Sequence, residues 1–174
     1  MAIDFEIEES DIIKGVKLIM PSVSSDLRGN IWTSFIKDEI ESLLPSGVGF
    51  KHDKFSASKC NVLRGIHGDN KSWKLVTCVH GEIQQVVVDC RVDSPTYLQW
   101  QKIIINEKNQ VLVLIPPFMG NSYYVTSTDA VYHYKLAYEG EYLDAEEQFS
   151  LKWNDPRIGI EWPTDNPILS ERDK

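Results

Sequence analysis

Side chains able to move protons, hold metals or attack electrophiles are few in this chain. It has four histidines, His52, His67, His80 and His133, and three cysteines, Cys60, Cys78 and Cys90. His80 sits in a His-Gly turn and His133 alternates with Tyr132 and Tyr134, placements that suit surface or packing histidines. His67 differs. It closes the run Asn61-Val62-Leu63-Arg64-Gly65-Ile66-His67 just before a polar loop, Gly68 to Ser72, and polar loops at sheet ends are where rigid scaffolds place chemistry. On local pattern alone it could be a proton-transfer group or a satisfied core histidine. A metal centre needs three or four converging ligands. His67 is followed by Gly68 and Asp69 rather than by a second histidine, and the stretch Ile115 to Tyr124 contains none, so no metal is expected. The cysteines are odd in number, widely spaced and form no CxxC pair, which suits buried reduced thiols in strands. There is no GxSxG, P-loop or GxGxxG to support nucleophile-elbow, Walker or dinucleotide chemistry. The run Pro116-Pro117-Phe118-Met119-Gly120-Asn121 is a rigid corner that either simply turns the chain or shapes a pocket mouth.

The elements that must position these groups read mostly as strands. Val16–Met20, Lys74–Val79, Ile83–Cys90, Tyr97–Ile105, Val111–Ile115, Tyr123–Thr126 and Val131–Tyr138 are rich in β-branched and aromatic residues. Turn signals separate them, among them His80-Gly81, Asp93-Ser94-Pro95 and Asn106 to Asn109. Short strands at this spacing predict an antiparallel sandwich or barrel. Only Phe35–Leu44 has a helical stripe, ended by Pro45. The tail from Trp153 to Lys174 mixes three prolines with Trp153 and Trp162, and its aromatics predict a segment packed on the sheet. No repeat, linker or low-complexity tract divides residues 1–174, so one domain is expected.

Charge narrows the partners. With 26 acidic and 18 basic residues the formal net charge is −8. Such a balance argues against non-specific nucleic-acid binding, which needs a basic field. An anionic small ligand remains compatible, provided a few identifiable Arg and Lys side chains gather at its site. No apolar run is long enough to span a bilayer, and Met1 to Ser10 is acidic and unlike a signal peptide. A cytoplasmic chain with no membrane partner is expected.

Several segments, in order, resemble the dTDP-4-dehydrorhamnose 3,5-epimerase family of nucleotide-sugar enzymes. They are Asp26-Leu27-Arg28-Gly29, Asn61 to His67, Lys74-Leu75-Val76, Val86-Val87-Val88-Asp89-Cys90-Arg91, Ser94-Pro95-Thr96 and Ile115-Pro116-Pro117. Near the end come Trp153-Asn154-Asp155-Pro156, Ile158 to Pro163 and Leu169-Ser170-Glu171-Arg172-Asp173. The resemblance runs from about residue 16 to the C-terminus. It implies an all-β, cupin-type double-stranded β-helix (jelly roll) with one or two short helices, and a cofactor-independent isomerase. Such enzymes invert the carbons flanking the C4 ketone of a nucleotide-linked 4-keto sugar through an enolate. The chemistry needs a base at the C–H, a positive group at the ketone oxygen and an acid on the opposite ring face. By similarity His67 is the base, in a dyad with Asp173; Lys74 stabilises the enolate oxygen; Tyr134 is the acid. Tyr134 read without the family is better taken as a core tyrosine of an aromatic strand. Arg28, Arg64 and Arg172 match diphosphate-gripping positions, Arg28 reaching the neighbour's site on an exchanged N-terminal segment of a homodimer.

The chain also departs from the family's pattern. Asn121 stands where a second histidine is usual and Gln85 where an aspartate is usual, so two ionisable groups have become amides. Thr33, His52, Lys54 and Glu139 replace residues that normally contact the thymine or its ribose. Retained phosphate contacts with altered base contacts imply a nucleotide other than dTDP, such as GDP, including the GDP-4-keto-heptoses of bacterial capsule pathways. The rival readings are a C3-only epimerase, a 3,4-ketoisomerase on the same fold, and a non-catalytic sugar-binding jelly roll.

Overall fold

A computed structural model describes residues 3–174. Two antiparallel sheets face each other. The first has six strands: β1 (Phe5–Glu9), β2 (Lys17–Pro21), β10 (Leu112–Ile115), β7 (Trp73–His80), β12 (Asp129–Tyr138) and β5 (Gly49–Lys59), in that spatial order. The second runs β13 (Phe149–Ser150), β6 (Leu63–Gly68), β11 (Met119–Val125), β8 (Glu82–Asp89) and β9 (Trp100–Asn106). A separate ribbon pairs β3 (Val23–Asp26) with β4 (Gly29–Trp32), and the one α-helix among the described residues, α1, spans Lys37–Glu41. This is the expected all-β jelly roll of cupin type. Among the described residues no helix is long and apolar enough to cross a membrane.

The central strands of both sheets are covered on both faces, which explains the sequence texture. Between them lies a core of Val76, Cys78, Ile83, Val87, Ile105, Val113, Ile115, Val125 and Tyr132. The outer face of the first sheet buries Ile19, Leu75, Leu112 and Leu114 against Ile40 of α1, with Phe35, Leu43 and Leu44 around it. The outer face of the second sheet buries Ile66, Val86 and Val88 under Ile158, Ile160 and Trp162 of the tail. Strands buried on both faces lose the apolar–polar alternation of a one-sided sheet and read as continuous runs. Each such Val, Ile or Leu contributes about 1.5–3 kcal/mol on burial.

The tail therefore packs as expected. Gln84 Nε2 donates to the Glu161 carbonyl at 2.9 Å, Trp162 Nε1 to the Trp153 carbonyl at 2.8 Å, and Ile168 N to the Asn61 carbonyl at 2.7 Å. Several boundaries differ from expectation. The helix is half the expected length, because Phe35, Leu43 and Leu44 reach the core from non-helical flanks. Tyr97–Gln99 is a turn, with Leu98 at φ +64°. It is organised by the buried Asp89 carboxylate, which accepts from Arg91, Ser94 and Thr96. Strands β1, β3, β4, β5, β6 and β13 add to those expected. Cys78 is buried in β7, as expected, and Cys90 is half-buried at the end of β8, but Cys60 is an exposed turn residue after β5.

Candidate active site

A cavity of about 320 Å³ opens between the two sheets at one end. Strand alternation decides who enters it. On β7, Trp73 and Leu75 pack outward, so Lys74 points in with Val76. On β12, Tyr132 and Tyr134 share the inner face, opposite Ser56 and Lys54 of β5. From the other sheet come His67 and Arg64 of β6 and Asn121 of β11, with Asn121 directly opposite His67 in register. The last residues, Ser170, Arg172 and Asp173, close over β6. His67 and Tyr134 thus project from facing sheets into one space.

His67 Nε2 and Asp173 Oδ1 are 2.6 Å apart, although the residues lie 106 positions apart in the chain. Asp173 Oδ2 also accepts from the Ser170 hydroxyl at 2.8 Å. Burial opposes the Asp173 charge, but the His67 and Ser170 hydrogen bonds win and hold its carboxyl below the usual range. An ionised Asp173 makes Nε2 the protonated nitrogen of a neutral imidazole, which leaves Nδ1 as the basic one. Lys74 is buried, and burial pushes its ammonium down; Asp69, 3.4 Å away, pulls it back up. Asp69 is itself buried and also accepts the N–H groups of Lys71 and Ser72. Burial raises the Tyr134 phenol, with Lys54 and Arg64 opposing that rise.

The rest of the wall is polar. Arg64 Nε donates to Ser58 Oγ at 3.0 Å, and Ser56 and Tyr123 hydroxyls meet at 2.5 Å. Lys54 Nζ donates to Tyr142 Oη at 3.0 Å, beside the cavity mouth. Four cations, Lys54, Arg64, Lys74 and Arg172, face two carboxylates, Asp144 and Asp173. A chain of net charge −8 therefore presents a locally positive cavity, as an anionic ligand requires.

Not every expected residue gathers here. Arg28 sits at the exposed tip of the β3–β4 ribbon, ion-paired with Asp26 and away from the cavity. His52 lies behind the wall, with Nδ1 3.1 Å from the Tyr138 hydroxyl and its ring edge-on to Tyr142. Thr33 and Glu139 are not among the lining residues. Sequence reasoning missed Asp69, Ser56, Tyr123, Tyr142, Asp144 and Gln148. The Pro116-Pro117 corner ties to the site indirectly, since Phe118 N donates to the Asp69 carbonyl at 2.8 Å. A larger cleft of about 750 Å³ lies beside the β1–β2 turn and the Arg91–Thr96 loop. It holds none of these groups, and its Arg91 is already spent on Asp89.

Comparison with known proteins gives consistent results. The family model for dTDP-4-dehydrorhamnose 3,5-epimerase matches residues 10–174. The dTDP-4-dehydrorhamnose 3,5-epimerase of Salmonella typhimurium is 37% identical over 165 residues, covering 92% of this chain and 88% of that protein. A crystal structure of a dTDP-6-deoxy-D-glucose-3,5-epimerase from Legionella pneumophila, in complex with dTDP-4-keto-L-rhamnose, superposes with a TM-score of 0.88. It is 34% identical and covers 98% of this chain and 90% of its own. A 3'-monoepimerase from Streptomyces bikiniensis, in complex with dTDP-quinovose, gives 0.84 at 28% identity, covering 95% and 83%.

Proposed function

The chain belongs to the dTDP-4-dehydrorhamnose 3,5-epimerase family, and from that premise we propose that it is an isomerase inverting C3 and C5 of a nucleotide-diphosphate-linked 4-keto sugar. The observation that carries this reading is the entry of His67 and Tyr134 into one cavity from opposite sheets, with Lys74 lining the same cavity from the strand beside Tyr134. A sugar ring inserted there has a base on one face and an acid on the other. His67 Nδ1 takes the hydrogen α to the ketone, and Asp173 steadies the imidazolium that forms. The C–H electron pair moves into the enolate, whose oxygen the Lys74 ammonium stabilises. Tyr134 returns a proton to the opposite face. Exchange with water then deprotonates His67 and reprotonates Tyr134. Arg64 and Arg172 at the mouth suit the diphosphate.

The test is hydrogen exchange. In D2O a 4-keto substrate gains deuterium at C3 and C5, and His67→Asn removes that gain; unchanged exchange in the variant would refute the mechanism. Deuterium and inversion at C3 alone would favour the monoepimerase reading, to which one similar solved structure points.

Two finer readings accompany it. Lys54 at the mouth, held against Tyr142, is a cationic donor suited to the O6 and N7 acceptors of guanine, which supports a GDP-linked sugar. Tighter binding of dTDP than of GDP in calorimetry would sink it. The β3–β4 ribbon exposes Leu27 and Ile31, and β5 is a free eleven-residue sheet edge. Exposed apolar tips and long bare edges call for a partner, which supports a homodimer that exchanges this N-terminal segment and carries Arg28 to the neighbour's cavity. A monomer in light scattering would overturn this.

A further inference from the structure

Behind His67 the cavity floor holds a closed ring of neutral hydrogen bonds made by Gln85, Asn121 and Tyr132. Gln85 is fully buried and Tyr132 nearly so, while Asn121 is half-buried and lines the cavity. Gln85 Nε2 donates to the Val86 carbonyl at 3.2 Å and to Asn121 Oδ1 at 2.6 Å. Tyr132 Oη donates to Gln85 Oε1 at 3.0 Å, and Asn121 Nδ2 donates to Tyr132 Oη at 3.3 Å.

The ring has a direction, and a backbone group sets it. A carbonyl oxygen only accepts, so the Val86 carbonyl forces the Gln85 nitrogen to its own side. The second Gln85 N–H then requires an acceptor from Asn121, which fixes Oδ1 inward. Burial raises the Tyr132 phenol well above its ordinary value, so it stays protonated and supplies the one proton Gln85 Oε1 needs. A flipped Asn121 would set two N–H groups against each other and leave a donor unsatisfied. Asn121 keeps one N–H with no protein acceptor among the described residues.

We propose that Gln85 is a positioning residue that locks Asn121 with its amide N–H available to the sugar, so that the site offers a neutral hydrogen-bond donor to a substrate oxygen beside His67. The inference rests on the epimerase reading for the identity of that oxygen, a ketone or hydroxyl of the nucleotide-linked sugar. It adds a residue that touches no substrate and a polarity that the residue types alone do not specify. The titratable groups around Asn121 are His67 on β6, Lys74 on β7, Tyr132 and Tyr134 on β12, and Asp173 behind His67. None of them has to change protonation for the donor to be presented.

The experiment is calorimetry on the full chain with dTDP against dTDP-glucose, and GDP against GDP-glucose alongside. The ratio of the two affinities isolates the sugar's share. Gln85→Glu cannot donate to Asn121 while ionised, so Asn121 turns its oxygen outward and the sugar's share falls about tenfold, the worth of roughly one hydrogen bond. At low pH the protonated Glu carries an O–H donor again, so the loss shrinks as pH falls. Affinity for the bare nucleotide stays that of the parent chain. A sugar share equal to the parent's at a pH where infrared spectroscopy shows the introduced carboxyl ionised overturns the proposal, as does a loss that ignores pH or extends to the bare nucleotide. Asn121→Asp removes the free donor directly and is expected to reproduce the loss at high pH; retention of the sugar's share there counts equally against the proposal. Because this readout needs no turnover, it separates from the epimerase reading: failed deuterium exchange with an intact calorimetric effect sinks only the latter.

Discussion

Asp69→Asn asks whether a buried counterion keeps Lys74 charged. The substitution is nearly isosteric, and the asparagine oxygen can keep the bonds from the Lys71 and Ser72 N–H groups, now 3.0 and 2.6 Å. What it removes is the charge of Oδ2, 3.4 Å from Lys74 Nζ. Unit charges at that separation attract by about 5 kcal/mol at an effective dielectric near 20, and the Lys74 and Asp69 side chains are only 10% and 1% exposed. If loop relaxation and entering water recover two-thirds of this, about 1.5 kcal/mol remains, roughly one pH unit. Burial already pushes the Lys74 ammonium down and Asp69 is the opposing influence, so the variant shifts it further in the same direction. The ammonium exists below its pKa, so activity survives at acidic pH and is lost as pH rises through the lowered value. Replacing a cation at the enolate oxygen by a neutral amine removes about 3 kcal/mol of transition-state stabilisation, on the order of a hundredfold in kcat. The assay is kcat and deuterium gain from about pH 6 to about pH 9. The variant is expected to approach the parent at the acidic end and to fall up to about tenfold below it at the basic end, the most that a shift of roughly one pH unit allows. A uniform loss across the range, with no displaced basic limb, would refute the reasoning and leave Asp69 as a loop anchor only.

Tyr134→Phe is expected to keep His67-dependent deuterium gain while losing most inverted product, because the proposed base survives and the proposed opposite-face acid does not; NMR of the product separates the two. Asp89 is buried, yet its five accepted hydrogen bonds, three from Arg91 and one each from Ser94 and Thr96, outweigh burial and hold its carboxyl far below the usual range. Asp89→Asn should cost about 3 kcal/mol in urea unfolding near neutral pH. A depressed folded pKa contributes stability above the unfolded value of about 4 and loses it as pH falls further. The gap between parent and variant should therefore narrow in acid, and a gap independent of pH would contradict the assignment. A methyl group at Gly68 would lie 2.2 Å from the Met119 carbonyl oxygen and 2.4 Å from the Phe149 ring. Gly68→Ala is accordingly expected to lower stability by at least ~2 kcal/mol and to displace His67, with thermal melting and exchange assays as the measures.

What could be read from the chain follows from which faces are apolar. Strands β7 and β8 were legible because their outer and inner faces are both mostly buried carbon, so Leu75-Val76 and Val86-Val87-Val88 announce themselves. Strand β5 was not, although it is the longest, because its inward residues are polar: Lys54 and Ser56 face the cavity and Ser58 accepts from Arg64. A hydrophobic pattern marks burial against carbon; it is silent where a strand faces ligand or water. The same blindness hid Asp69, which sits in a polar loop and reads as an ordinary turn residue until its second oxygen is seen against Lys74. His67 and Asp173 lie too far apart in sequence for any spacing rule, and family resemblance alone paired them. Resemblance could mark Asn121 and Gln85 as altered, but not that the two amides bond each other, which depends on the pairing of β11 with β8 and on Tyr132 across the core. The residues least legible to burial reasoning are therefore those whose polar atoms are committed inward, and in this fold those residues build the site.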